Sequence, residues 1–140
     1  MSSFRPSTTY ARAALLGYVV LLFALTLGPL PAMRQVYSVV PIADKLVHAG
    51  LFAGLASLLY WNLGSIGRAR RLFWSVALSA AVAGLIEILQ GPLPYRSAEW
   101  LDFFAGGAGA AAAVLVMAVA FGERSRTEPP AGSTTRPPAG

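Results

Sequence analysis

Cysteine is absent from this 140-residue chain, so no disulfide framework, thiolate metal site or cysteine nucleophile is available to it. Charge is scarce as well. Asp, Glu, Lys and Arg make up 12% of the residues, against about 25% in an average soluble domain. So few charges exclude a globule with a solvated surface. The hydrophobic share of 56% excludes disorder for all but the ends. Histidine occurs once, which leaves no dense imidazole motif for a metal. What the chain does have is long apolar blocks. With a mean hydropathy of +0.59, it reads as an integral membrane protein of one domain. The net charge of +5 would suit nucleic acid, but no basic stripe with interleaved aromatics accompanies it. Nucleic acid is therefore not an expected partner, and the basic residues fit one side of a bilayer instead.

Four blocks carry the apolar residues: 11–30, 45–63, 72–90 and 102–121. At ~1.5 Å per residue each spans the ~30 Å hydrocarbon core as a helix. Spanning strands would need dyad alternation, which is missing. The fold expected is all-α and polytopic, with four transmembrane helices. Residues 1–10 form a cytoplasmic N-terminus, 11–121 the membrane domain, and 122–140 a disordered cytoplasmic tail rich in Pro, Gly, Ser and Thr. The first helix is too long for a signal-peptide core and is expected to stay as an anchor. Of the eleven Lys and Arg residues, eight fall on the side of the termini and the Gly64–Arg71 turn, and Arg34, Lys45 and Arg96 on the other. The positive-inside rule then puts both termini in the cytoplasm. Trp61, Trp74, Tyr95 and Trp100 sit near block ends, where interfacial aromatics belong.

The polar residues inside these blocks gather at one end. Asp44, Lys45 and His48 open the second helix; Glu87 and Gln90 close the third; Arg96 and Glu99 lie in the loop; Asp102 opens the fourth. Asp44 and His48 are four apart, and Glu87 and Gln90 three apart, so each pair shares a helix face. Taken singly, Asp44 and Asp102 read as N-caps, Lys45 as a snorkelling interfacial residue and His48 as a hydrogen-bonded structural residue. Glu87 is different. An ionised carboxylate facing lipid would be costly, so Glu87 should face the bundle interior or a wet pocket, paired with His48 or Arg96. Small residues four apart (Gly50 and Gly54, Ala80 and Gly84, Gly106 and Ala110) point to close packing of helices 2, 3 and 4, with helix 1 peripheral.

The order Asp44-Lys45-x-x-His48, Glu87-x-x-Gln90, Arg96 and, six residues on, Asp102 resembles the VanZ-like family of small bacterial membrane proteins. The likeness covers about 41–109. It departs at Gly106, where the family usually carries Asn. The family is named after a protein linked to teicoplanin resistance. The resemblance implies a multi-pass protein of the bacterial cytoplasmic membrane acting at the outer leaflet or cell envelope.

Four functions follow from these residues. A pocket of Asp44, Lys45, His48, Glu87, Gln90, Arg96 and Asp102 would bind or modify a lipid-linked envelope molecule. Its cations would take a phosphate or carboxylate, and its carboxylates and imidazole would take hydroxyls or amines. An enzyme would use Glu87 or His48 as the acid–base group. Transport is disfavoured, because the charges lie near one face rather than the midplane and no repeat is present. A purely structural brace is the fourth. One His with three carboxylates would suit a hard or borderline divalent ion, but with a single histidine and no dense ligand motif no metal site and no cofactor are expected. The expected partners are a membrane lipid or lipid-linked molecule, with a second copy of the chain or another membrane protein as the protein partner.

Overall fold

The computed structural model describes residues 8–28, 41–94 and 99–122. Among these, all regular structure is helical: α1 (Thr8–Leu27), α2 (Pro41–Asn62), α3 (Arg68–Gln90) and α4 (Trp100–Gly122). Each helix is long and apolar enough to cross a membrane. Their 20 to 23 residues give lengths of about 30–35 Å. Tyr95, Arg96 and the tail from 123 onward lie outside the described residues.

The helix starts differ from the sequence reading in an instructive way. α2 begins at Pro41, four residues before the expected start. Proline is suited to the first helical position, where its missing N–H is no loss. Asp44 therefore lies within the first turn and does not cap the helix from outside. Asp102 likewise lies inside the first turn of α4, its N–H donating to the Glu99 carbonyl. Both carboxylates meet the positive end of the helix dipole. α3 starts at Arg68, so half of the basic turn, including its three arginines, is helical; Arg and Ala are strong helix formers. α1 ends at Leu27, with Gly28 directly after it, a residue common just past a helix end.

Side-chain bonds give the topology. Lys45 at the start of α2 meets Asp102 at the start of α4, so those helices run parallel. Arg71 at the start of α3 donates to the Tyr60 carbonyl near the end of α2, so α3 runs opposite. Asn62 at the end of α2 reaches the Ala11 carbonyl at the start of α1, so α1 also opposes α2. The chain is an up-and-down bundle with α1 and α3 pointing one way and α2 and α4 the other.

The tightest seam lies between α2 and α4. Their buried residues repeat in the same register: His48, Phe52, Leu55, Ala56 and Tyr60 on α2, and Asp102, Gly106, Gly109, Ala110 and Val114 on α4. A β-carbon at Gly109 would collide with the Ala49 backbone, so the two helices touch main chain to main chain there. Of the small-residue pairs, Gly106 and Ala110 do line this seam. Gly50 does not: nothing lies within 4 Å of its β-position. Gly54 faces α1, where it makes room for the Tyr18 hydroxyl, which donates to the Leu51 carbonyl. α1 is peripheral, making the least contact with the rest of the bundle.

Leu16, Val20, Leu46, Ile88, Leu115 and Val116 point outward. A surface this apolar is suited to lipid. Trp61 and Trp74 are exposed at one end and Trp100 at the other, as interfacial aromatics should be.

Candidate functional site

Four of the six acidic residues in the chain sit at one end of the bundle: Asp44, Glu87, Glu99 and Asp102. The parallel course of α2 and α4 sets their first turns side by side, and Lys45 bridges them. Its Nζ lies 3.1 Å from Glu99 Oε2 and 3.2 Å from Asp102 Oδ1. The Lys45 side chain is 29% exposed, that of Asp102 only 5%. The ammonium thus reaches from the surface to a carboxylate sealed in the seam. A buried carboxylate needs such a partner, because desolvation without one costs several kcal/mol.

His48 lies one turn below Asp44 and is buried. Its Nδ1 is 3.2 Å from the Asp44 carbonyl oxygen and 3.8 Å from Asp44 Oδ1. A carbonyl only accepts, so Nδ1 is the donor in that bond. Nε2 is buried and has no hydrogen-bond partner among the described residues. The imidazole stacks on Phe52, with ring centres 6.5 Å apart and planes 21° apart. Phe52 in turn lies against Gly106, where a β-carbon would come within 2.7 Å of the phenyl ring. Glycine at 106 is therefore the partner that Phe52 requires. Any larger side chain there would have to displace the ring on which His48 rests.

Glu87 is half-buried at the end of α3. Its Oε2 accepts the Glu99 N–H at 3.0 Å, which ties the end of α3 to the start of α4. The expected pairing with His48 is not a hydrogen bond, although Glu87 is within Coulombic reach of both His48 and Asp102. Gln90 takes another direction. It is fully buried and its Nε2 donates to the Thr26 carbonyl at 2.9 Å, clasping α3 to α1. Asp44, Lys45, His48 and Asp102 thus come together, with Glu87 joined through Glu99. Gln90 faces α1, and Arg96 lies outside the described residues. Glu99 and Phe52 are additions to the pocket residues named from sequence. The three-residue step from Glu99 to Asp102 at a helix start was the available signal for Glu99. Phe52 gave none, being one apolar residue among many.

The opposite end is built from arginines. Arg71 donates to the Tyr60 carbonyl and lies 4.2 Å over the centre of the Tyr60 ring. Arg68 donates to the Ala118 carbonyl. Both serve carbonyls near helix C-termini, where cations are favoured. The two ends therefore differ in kind: guanidinium groups tied to main chain at one, and a carboxylate-rich cluster with an imidazole at the other. No family model, curated protein or solved structure matches this chain.

Proposed function

We propose that the chain is a VanZ-like protein of the bacterial cytoplasmic membrane, with both termini cytoplasmic and the carboxylate-rich end at the outer leaflet. There the pocket of Asp44, Lys45, His48, Glu87 and Asp102 binds or modifies a cell-envelope or lipid-linked molecule. The reading is supported first by the convergence of charged groups from α2, α3 and the start of α4 at one end of the bundle. A molecule seated in the headgroup region would meet Lys45, Glu99 and Glu87 first, and His48 and Asp102 below them. The orientation rests on the eight-to-three division of Lys and Arg.

The test is Glu87→Gln. The amide oxygen still accepts the Glu99 N–H, so the fold is kept while the charge is removed. The host lacking its own copy is complemented with wild type or variant and challenged with a glycopeptide and with other envelope stresses. In parallel, folded yield in detergent is measured. The variant should accumulate as folded protein and fail to complement. A variant that complements fully and differs only in melting temperature would reduce the cluster to a brace.

A further inference from the structure

One ring nitrogen of His48 and one carboxylate oxygen from each of Asp44 and Asp102 lie within 4.8 Å of one another. We propose that these three residues form a binding site for a divalent cation of borderline softness, Zn2+ or Mn2+. The inference concerns this chain's own residues and does not depend on the envelope reading.

The second observation behind it is the state of His48. The side chain is 5% exposed, and Nε2 is buried with no hydrogen-bond partner among the described residues. In the neutral ring, the Nδ1 bond to the Asp44 carbonyl places the lone pair on Nε2. Metal-binding histidines are commonly held in this way, one nitrogen on a backbone carbonyl and the other on the ion. A buried imidazole kept only for packing leaves that lone pair unsatisfied, at a cost that phenylalanine would avoid.

The donor set indicates the type of ion. Carboxylates suit Mg2+, Ca2+ and Mn2+, whereas imidazole suits Zn2+ and its neighbours, so one imidazole with two carboxylates selects the overlap. Bonds of ~2.0–2.2 Å put tetrahedral ligand atoms roughly 3.4 Å apart. The three groups would close by about 1 Å, which rotation of the two carboxylates supplies. Three protein ligands leave a fourth position for water or an anionic oxygen. The local charge agrees: Glu87, Glu99 and Asp102 share this end of the bundle with Lys45, which bridges Glu99 and Asp102. Lys45 competes for Asp102. Its ammonium is the counter-ion in the metal-free state and retains Glu99 when the metal binds.

The test uses the full chain in detergent, stripped with a chelator and titrated with zinc sulfate or manganese chloride. Bound metal is counted by elemental analysis and affinity measured by calorimetry. Wild type should take up one equivalent and melt at a higher temperature when loaded. His48→Gln and Asp102→Asn should each lose at least tenfold in affinity, with unchanged folded yield. Lys45→Met, which removes the competing ammonium, should bind about tenfold more tightly than wild type, because a like charge beside the ion is gone. It also guards against a folding artefact, since a gain in affinity cannot come from a damaged fold. Stoichiometric binding that survives both His48→Gln and Asp102→Asn would overturn the site. So would a wild-type protein that binds neither ion.

Discussion

Gly109 offers the sharpest perturbation of the fold, because its neighbour is main chain. In Gly109→Ala the new methyl would lie 2.6 Å from the Ala49 carbonyl carbon and 2.7 Å from its Cα, and closer still to the carbonyl oxygen. Non-bonded carbons settle at about 3.5–4.0 Å. The contact must therefore open by about 1 Å, and no side chain can rotate away to provide it. α4 has to move off α2 as a body. A gap of that size forfeits a quarter to a half of the attraction across the seam, which runs through Phe52, Leu55, Ala56, Ala110 and Val114. In a membrane this packing is the main force between helices. The expected loss is about 2–3 kcal/mol, the upper part of the range for overpacked cores. Gly50→Ala is the control. Nothing lies within 4 Å of its β-position, so alanine should be neutral or should stabilise by up to about 1 kcal/mol through helix propensity. Denaturing-detergent titration in mixed micelles reads both variants. Equal stability of Gly109→Ala and Gly50→Ala would refute the main-chain contact.

Three further outcomes are expected. Lys45→Met should destabilise metal-free protein by about 1–3 kcal/mol, less than for a fully buried pair because Lys45 and Glu99 are partly solvated. Adding Asp102→Asn to that variant should recover part of the loss, read by the same titration. Gln90→Leu leaves the Thr26 carbonyl without its clasp and should cost about 1–3 kcal/mol, with faster proteolysis at the end of α1. Reporter fusions after Leu63 and after Gln90 should give cytoplasmic and external signals respectively, and the reverse pattern would invert the proposed orientation.

Helix number and type were legible because four apolar blocks admit no other reading at their length. Helix starts were not, because the first turn of a membrane helix tolerates charge. Counting apolar residues therefore began α2 after Asp44, and α3 after Arg71. The gathering of Asp44, Lys45, His48 and Asp102 followed from topology: two helices that run parallel bring their first turns together. The partners within that gathering depended on rotation about each helix axis, which spacing alone does not fix. Glu87 met the Glu99 N–H rather than an imidazole, and Gln90, three residues on, turned to α1. Glycine spacing named four glycines and overlooked Gly109, because abundant Gly and Ala make the pattern unselective. The need for glycine at 106 becomes visible only with the Phe52 ring beside it.

The protein's own braces help to judge the charged end. Where α1 is fastened to its neighbours, the chain uses a neutral group on a carbonyl: Tyr18 on Leu51, Asn62 on Ala11, Gln90 on Thr26. Each joins α1 to a neighbour with no buried charge, and so avoids the desolvation cost of an ion pair. A fourth brace of that type between α2 and α4 would need one amide. At the carboxylate-rich end the chain instead buries Asp102 in the seam, holds it with Lys45, and leaves a buried imidazole nitrogen with no hydrogen-bond partner among the described residues. That arrangement is less stable than an amide on a carbonyl and harder to pack. Its advantage is chemical: fixed carboxylates and an imidazole nitrogen set within reach of the bundle's surface. If bracing were its whole purpose, Asp102→Asn combined with Lys45→Met should yield a protein at least as stable as wild type that still complements the host. Loss of complementation in a folded double variant would place the reason for the charges in what they contact from outside.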